Sequence, residues 1–103
     1  MQVEHLQGKW LDFWVARVVG DGASLPYSTD WAGGGPLIDR HHINLQYFEN
    51  YEMDSRMLVN EWGARITTFD YPPSKRYYGA TALIAAMRCL VATEFGEDVP
   101  EGV

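Results

Sequence analysis

A chain of 103 residues is long enough for one compact domain and too short for two, so residues 1–103 are read as a single domain. Hydrophobic residues make up 47% and charged residues 21%, a balance that excludes a disordered chain. No run reaches the ~18 apolar residues of a membrane span, and eight Lys and Arg stand against fourteen Asp and Glu for a net charge of −6.

That balance disfavours generic DNA or RNA binding, because gripping phosphate backbones needs a positive face. The acids are scattered with no run longer than two, which fits solubility better than mimicry of nucleic acid. The segment Met1–His5 has no basic stretch followed by an apolar core, so no secretory leader is expected. The single cysteine, Cys89, can form no internal disulfide, and a reducing, cytoplasmic location is the expectation.

Along the chain, Leu6 to Val19 reads as a helix. Leu6, Trp10, Phe13, Trp14 and Val18 recur at three- and four-residue spacing, and Leu11 and Val15 widen the stripe. Lys9, Asp12 and Ala16 are left as a narrow exposed face, and Gly20-Asp21-Gly22 stops the helix. Ala23 to Pro36 is expected to be irregular, because three adjacent glycines and two prolines punctuate it. Beyond Pro36 the chain is expected to extend. Ile43, Leu45 and Tyr47 alternate with His42, Asn44 and Gln46, the period of a strand with one buried face.

Glu49 to Glu52 reads as a turn, Arg56 to Asn60 as a second strand, and Trp62 to Thr68 as a third. The paired prolines of Asp70 to Lys75 make a loop. The last element is a helix from Thr81, its N-cap, to Phe95, with Gly96 as the terminating glycine. Ile84, Met87, Val91 and Phe95 form its apolar stripe; Ala85, Arg88 and Ala92 form a small-residue face. Strands segregated between terminal helices predict an α+β fold: a small antiparallel sheet of two to four strands flanked by N-terminal and C-terminal helices.

The segment Tyr27-Ser28-Thr29-Asp30-Trp31-Ala32-Gly33-Gly34-Gly35-Pro36-Leu37-Ile38 resembles a Ser-Thr-x-Trp-x-x-Gly-Gly-Pro-Leu-Ile stretch of the NinX-like family of phage and prophage proteins. Gly79 to Cys89 is similar to that family's Gly-x-Thr-x-Leu-x-Ala-Ala-x-Arg stretch, with Ala82 where a proline is common. Leu11-Asp12-Phe13-Trp14-Val15-Ala16 is similar to an early Leu-Asp-x-x-Val-Ala stretch. The resemblance implies phage or prophage origin. It implies no reaction and brings no catalytic residues.

Candidate binding residues are Ser28, Thr29, Asp30, Trp31, Gly33, Gly34 and Gly35, because glycines let backbone approach a ligand and expose successive N–H groups. The stretch matches neither dinucleotide nor P-loop fingerprints, and a structural turn with Trp31 plugging the core edge is the alternative. Arg40, Arg65 and Arg88 are candidates to converge on an anion, against three separate salt bridges. His41 and His42, adjacent in an expected strand, point to opposite faces and cannot share a metal. Cys89 reads as a small core filler rather than a nucleophile. No cofactor or metal is expected.

The aromatic load of 14% exceeds what a core of this size easily hides, and Tyr71, Tyr77 and Tyr78 flank the double proline with Lys75-Arg76 between them. Such a surface is suited to stacking a base or a nucleotide or, on the better reading, to a protein interface. The resulting expectation is an accessory protein that acts by binding a host protein or by self-association, most simply as a dimer. The alternative is a small-molecule binder that sequesters a nucleotide-like anion at Trp31 and the glycines. An enzyme ranks last.

Overall fold

The computed structural model describes residues 1–20, 25–53, 57–66 and 75–100. After a 3-10 turn at Val3–His5, the elements are α1 (Gly8–Val19), α2 (Trp31–Arg40), β1 (Ile43–Met53), β2 (Met57–Ile66), β3 (Tyr77–Gly79) and α3 (Ala82–Phe95). The three strands pair antiparallel in the order β1-β2-β3, and the fold is α+β.

Helix α3 is the centre of the core. Thr81 begins it, with Oγ1 accepting the Ile84 N–H at 3.1 Å, and Gly96, at φ +90°, closes it. Nine of its residues are buried, from Ala82 to Ala92, because the sheet packs on one side and α1 on another. Its alanines let neighbours come close. An added Cβ on Gly79 would sit 2.7 Å from the Ala85 nitrogen, so β3 lies directly against the helix backbone. Cys89 is 1% exposed and fills this core. Burial pushes its thiol up to about 11, against hydrogen bonds from Thr93 and the Ile66 backbone that favour the thiolate.

Helix α1 begins at Gly8 rather than Leu6, and Gly20 ends it at φ +81°. Its buried face differs from the expected one. Asp12 is 8% exposed and Ala16 is also buried, while Trp10 is 40% exposed. The carboxylate turns inward because its Oδ1 accepts the buried Ser28 N–H at 2.8 Å.

The largest correction concerns the triple glycine. The segment is helix α2, neither an irregular stretch nor an extended run after Pro36. Asp30 caps it: Oδ1 accepts the Ala32 N–H at 3.0 Å, and the Asp30 carbonyl accepts from Gly33 at 3.0 Å and Gly34 at 2.9 Å. Gly34 is required by packing rather than by a turn. A Cβ there would strike the Tyr27 carbonyl oxygen and stand 2.7 Å from Leu83 Cδ2. Pro36 lies inside the helix, where it withholds one N–H from the carbonyl of exposed Ala32.

The strands also differ from expectation. Residues expected to turn at Glu49–Glu52 continue β1, and the register shifts between Phe48 and Tyr51 instead. The two expected strands over Arg56–Asn60 and Trp62–Thr68 are one continuous β2, with Arg56, Thr67 and Thr68 outside the described residues. The expected loop at Asp70–Lys75 lies outside them too, except for Lys75. Tyr77–Gly79, assigned to no element by the sequence pattern, forms a short third strand. Ile43 faces the core as expected, whereas Tyr47, on the same side of β1, is 46% exposed and packs at a tilt against Trp62, with centroids 5.2 Å apart. Among the described residues, no helix is long and apolar enough to cross a membrane.

Candidate functional site

The entry to α2 is assembled from both sides of the chain. The Pro26 carbonyl accepts the N–H groups of Thr29 and Asp30, at 3.2 and 2.9 Å, which turns the backbone just before the helix. Tyr27 and Ser28 are buried by that turn, and Asp12 of α1 fixes the Ser28 nitrogen. Thr29 and Asp30 stay exposed. Trp31, the first helical residue, is left projecting with 57% of its surface exposed.

Trp31 is a wall shared by two hollows. The larger, of about 740 Å³, lies between α2 and the start of β1 and is lined by Trp31, Gly35, Ile38, Asp39, His42, Ile43 and Asn44. The smaller, of about 240 Å³, is bounded by Ser28, Thr29, Trp31 and the first turn of α3 from Thr81 to Ile84. The Ser28 Oγ is buried and has no hydrogen-bond partner among the described residues. Ser28, Thr29, Trp31 and Gly35 are thus brought to one place.

Gly33 and Gly34 are close by, but their N–H groups are spent on the Asp30 carbonyl. A backbone cradle for an anion is not available from them. The sequence reasoning missed Ile38, Asp39, His42 and Asn44. Trp31, Gly35, Ile38 and Asp39 stand at helical spacing, and that signal was hidden by reading the glycines as a breaker.

The three arginines are separated. Arg40 is exposed in the last turn of α2. Arg65, on β2, sits across the ladder from Asn44 and so neighbours the larger hollow. Arg88 is tied elsewhere: Nε donates to the Leu6 carbonyl and Nη1 to the Tyr78 carbonyl, each at 2.8 Å. Burial lowers its pKa from the ordinary arginine value, with Glu61 and Glu4 opposing the shift. The two histidines lie outside any strand. His41 is the C-cap of α2, and His42 turns the chain into β1 with φ of 53°.

This geometry can seat an apolar or aromatic group against the Trp31 ring, with Asp39, His42 and Asn44 as the polar residues of the lining. A model of the family described as "Bacteriophage P22, NinX" matches residues 24–94, which run from just before the Trp31 turn almost to the end of α3. No curated protein matches the chain.

Proposed function

Because the chain belongs to the Bacteriophage P22 NinX family, and so is a phage accessory protein, we propose that it acts by binding another protein, a host protein or a second copy of itself, through the Trp31 surface. The exposure of Trp31 carries this reading. A ring left 57% in solvent at a helix start forgoes about 2–3 kcal/mol of burial that a partner can supply, at ~25 cal/mol per Å². Tryptophan is also the residue type most enriched where binding energy concentrates. Other exposed apolar side chains, Trp10, Leu25 and Tyr47 among them, add surface that an aqueous monomer leaves uncovered.

The test is the variant Trp31→Ala. Since the ring is mostly outside the core, the fold and melting temperature should stay near those of the parent. Self-association measured by sedimentation at ~50 μM, or capture of a specific protein from host lysate, should weaken about 30-fold or more, the equivalent of ~2 kcal/mol. Unchanged association by a folded Trp31→Ala protein would sink the proposal.

A further inference from the structure

A third hollow, of about 420 Å³, lies where β3 meets α3 and the N-terminal 3-10 turn, and it is independent of the Trp31 surface. Its size falls in the ~300–1,000 Å³ range of small-molecule sites. In a chain whose acids outnumber its bases, three permanent cations line it, Lys75, Arg76 and Arg88, together with Tyr78.

Arg88 is held in place like a mounted fork. The Leu6 and Tyr78 carbonyls take two of its N–H donors, and its remaining donors have no partner among the described residues. No carboxylate there lies within ion-pair range of this half-buried guanidinium, although Glu61 and Glu4 are near enough to favour its charged form. Lys75 is engaged with Glu97 at 2.7 Å, but that pair is exposed and exchanges partners at little cost.

Beside these cations are two aromatic rings inclined to each other. The Arg76 guanidinium lies 5.0 Å from the centroid of the Phe48 ring and donates to Gln46 Oε1 at 3.1 Å. Phe48 in turn meets Tyr78, with centroids 5.8 Å apart. Gly63 makes room for this layer, since a Cβ there would stand 2.7 Å from Arg76 Cδ and 2.8 Å from Phe48 Cε2. A planar guanidinium held beside one ring is a suitable surface for a second, flat ring to stack on.

We propose that this hollow binds a phosphorylated aromatic small molecule of the nucleoside monophosphate class. Arg88 takes the phosphate oxygens bidentately and Lys75 closes on them. The base stacks on the Arg76 guanidinium beside Tyr78, and Glu4 and Glu61 on the border accept from ligand hydroxyl or amino groups. The same two carboxylates, and the net charge of −6, disfavour a polynucleotide, whose further phosphates would meet acidic surface.

Calorimetric titration of the full chain tests this with four probes: a nucleoside monophosphate, the matching nucleoside, inorganic phosphate and a short oligonucleotide. The monophosphate should bind saturably and about tenfold or more tighter than any of the other three. Binding should also move the Arg88 Nε resonance. Arg76→Ala should weaken binding at least ~5-fold with the melting temperature retained. Arg88→Lys, which keeps the charge but loses the fork, should weaken binding by a similar factor in its folded fraction. The proposal is overturned if none of the four common monophosphates binds at millimolar concentration, or if inorganic phosphate or the oligonucleotide binds as tightly. Normal affinity in folded forms of both variants would overturn it equally.

Discussion

Gly34→Ala should lower the melting temperature by about 10–20 °C, the equivalent of ~2–3 kcal/mol in a domain of this size. The methyl group would enter space held by the Tyr27 carbonyl oxygen, which is backbone and cannot rotate away, and would press on Leu83 Cδ2 at 2.7 Å. To relieve this, α2 must move off α3, which loosens the turn that positions Trp31. The neighbouring glycines behave oppositely. A Cβ on Gly33 comes no closer than 3.6 Å to Tyr27, and one on Gly35 no closer than 3.6 Å to Trp31, both ordinary contacts. Gly33→Ala and Gly35→Ala should therefore stabilise the protein by up to ~1 kcal/mol, because alanine loses less backbone freedom on entering a helix. Thermal denaturation of the three variants checks the contrast. Equal losses at all three positions would mean that the close approach at Gly34 is not what sets its cost.

Asp12→Ala should cost about 2–3 kcal/mol, seen as a lower urea midpoint with an unchanged slope. The Asp12 carboxylate is the acceptor for the Ser28 N–H at 2.8 Å, in a buried setting where water cannot substitute. Truncation leaves that donor without a partner. Asp12→Asn retains an oxygen at the same reach and should recover much of the loss. If the asparagine and alanine variants were equally unstable, the charge rather than the acceptor would be the stabilising element.

Asp12 also illustrates what periodicity can and cannot show. On a helix wheel a carboxylate between apolar stripes reads as solvent-facing. The partner that draws it inward, Ser28, is sixteen residues away, and local spacing does not encode that distance. Helix α3 was readable because its apolar residues, its Thr81 cap and its terminating Gly96 all point to one structure. Helix α2 was not, because its composition argues against a helix. The reason for one of its glycines is a contact with Tyr27 and Leu83 that only the folded chain possesses. Strand β3 is three residues long, too short to display alternation.

The candidate site divides in the same way. Trp31, Ser28 and Thr29 were identifiable as residue types, and the structure brings them together. Ile38, His42 and Asn44 became neighbours of Trp31 only once the glycine stretch was seen to be helical. The arginines, alike in sequence, are parted by the elements that carry them: Arg88 is committed to the carbonyls of Leu6 and Tyr78, remote in sequence from Arg40 and Arg65.

The tryptophan offered for binding stands at the head of the helix least able to form by itself. Three glycines and a proline within Trp31–Arg40 cost about 6 kcal/mol relative to alanines at those positions. What holds α2 is its Asp30 cap and its seat on Tyr27 and Leu83. An element supported in this manner opens at a lower free energy than α3, without the rest of the molecule unfolding. Recognition at Trp31 is then coupled to local order: a partner that grips the ring also suppresses the opening of α2. Part of the interaction energy is consumed in keeping that helix closed, and the amides of α2 gain protection although the partner touches few of them.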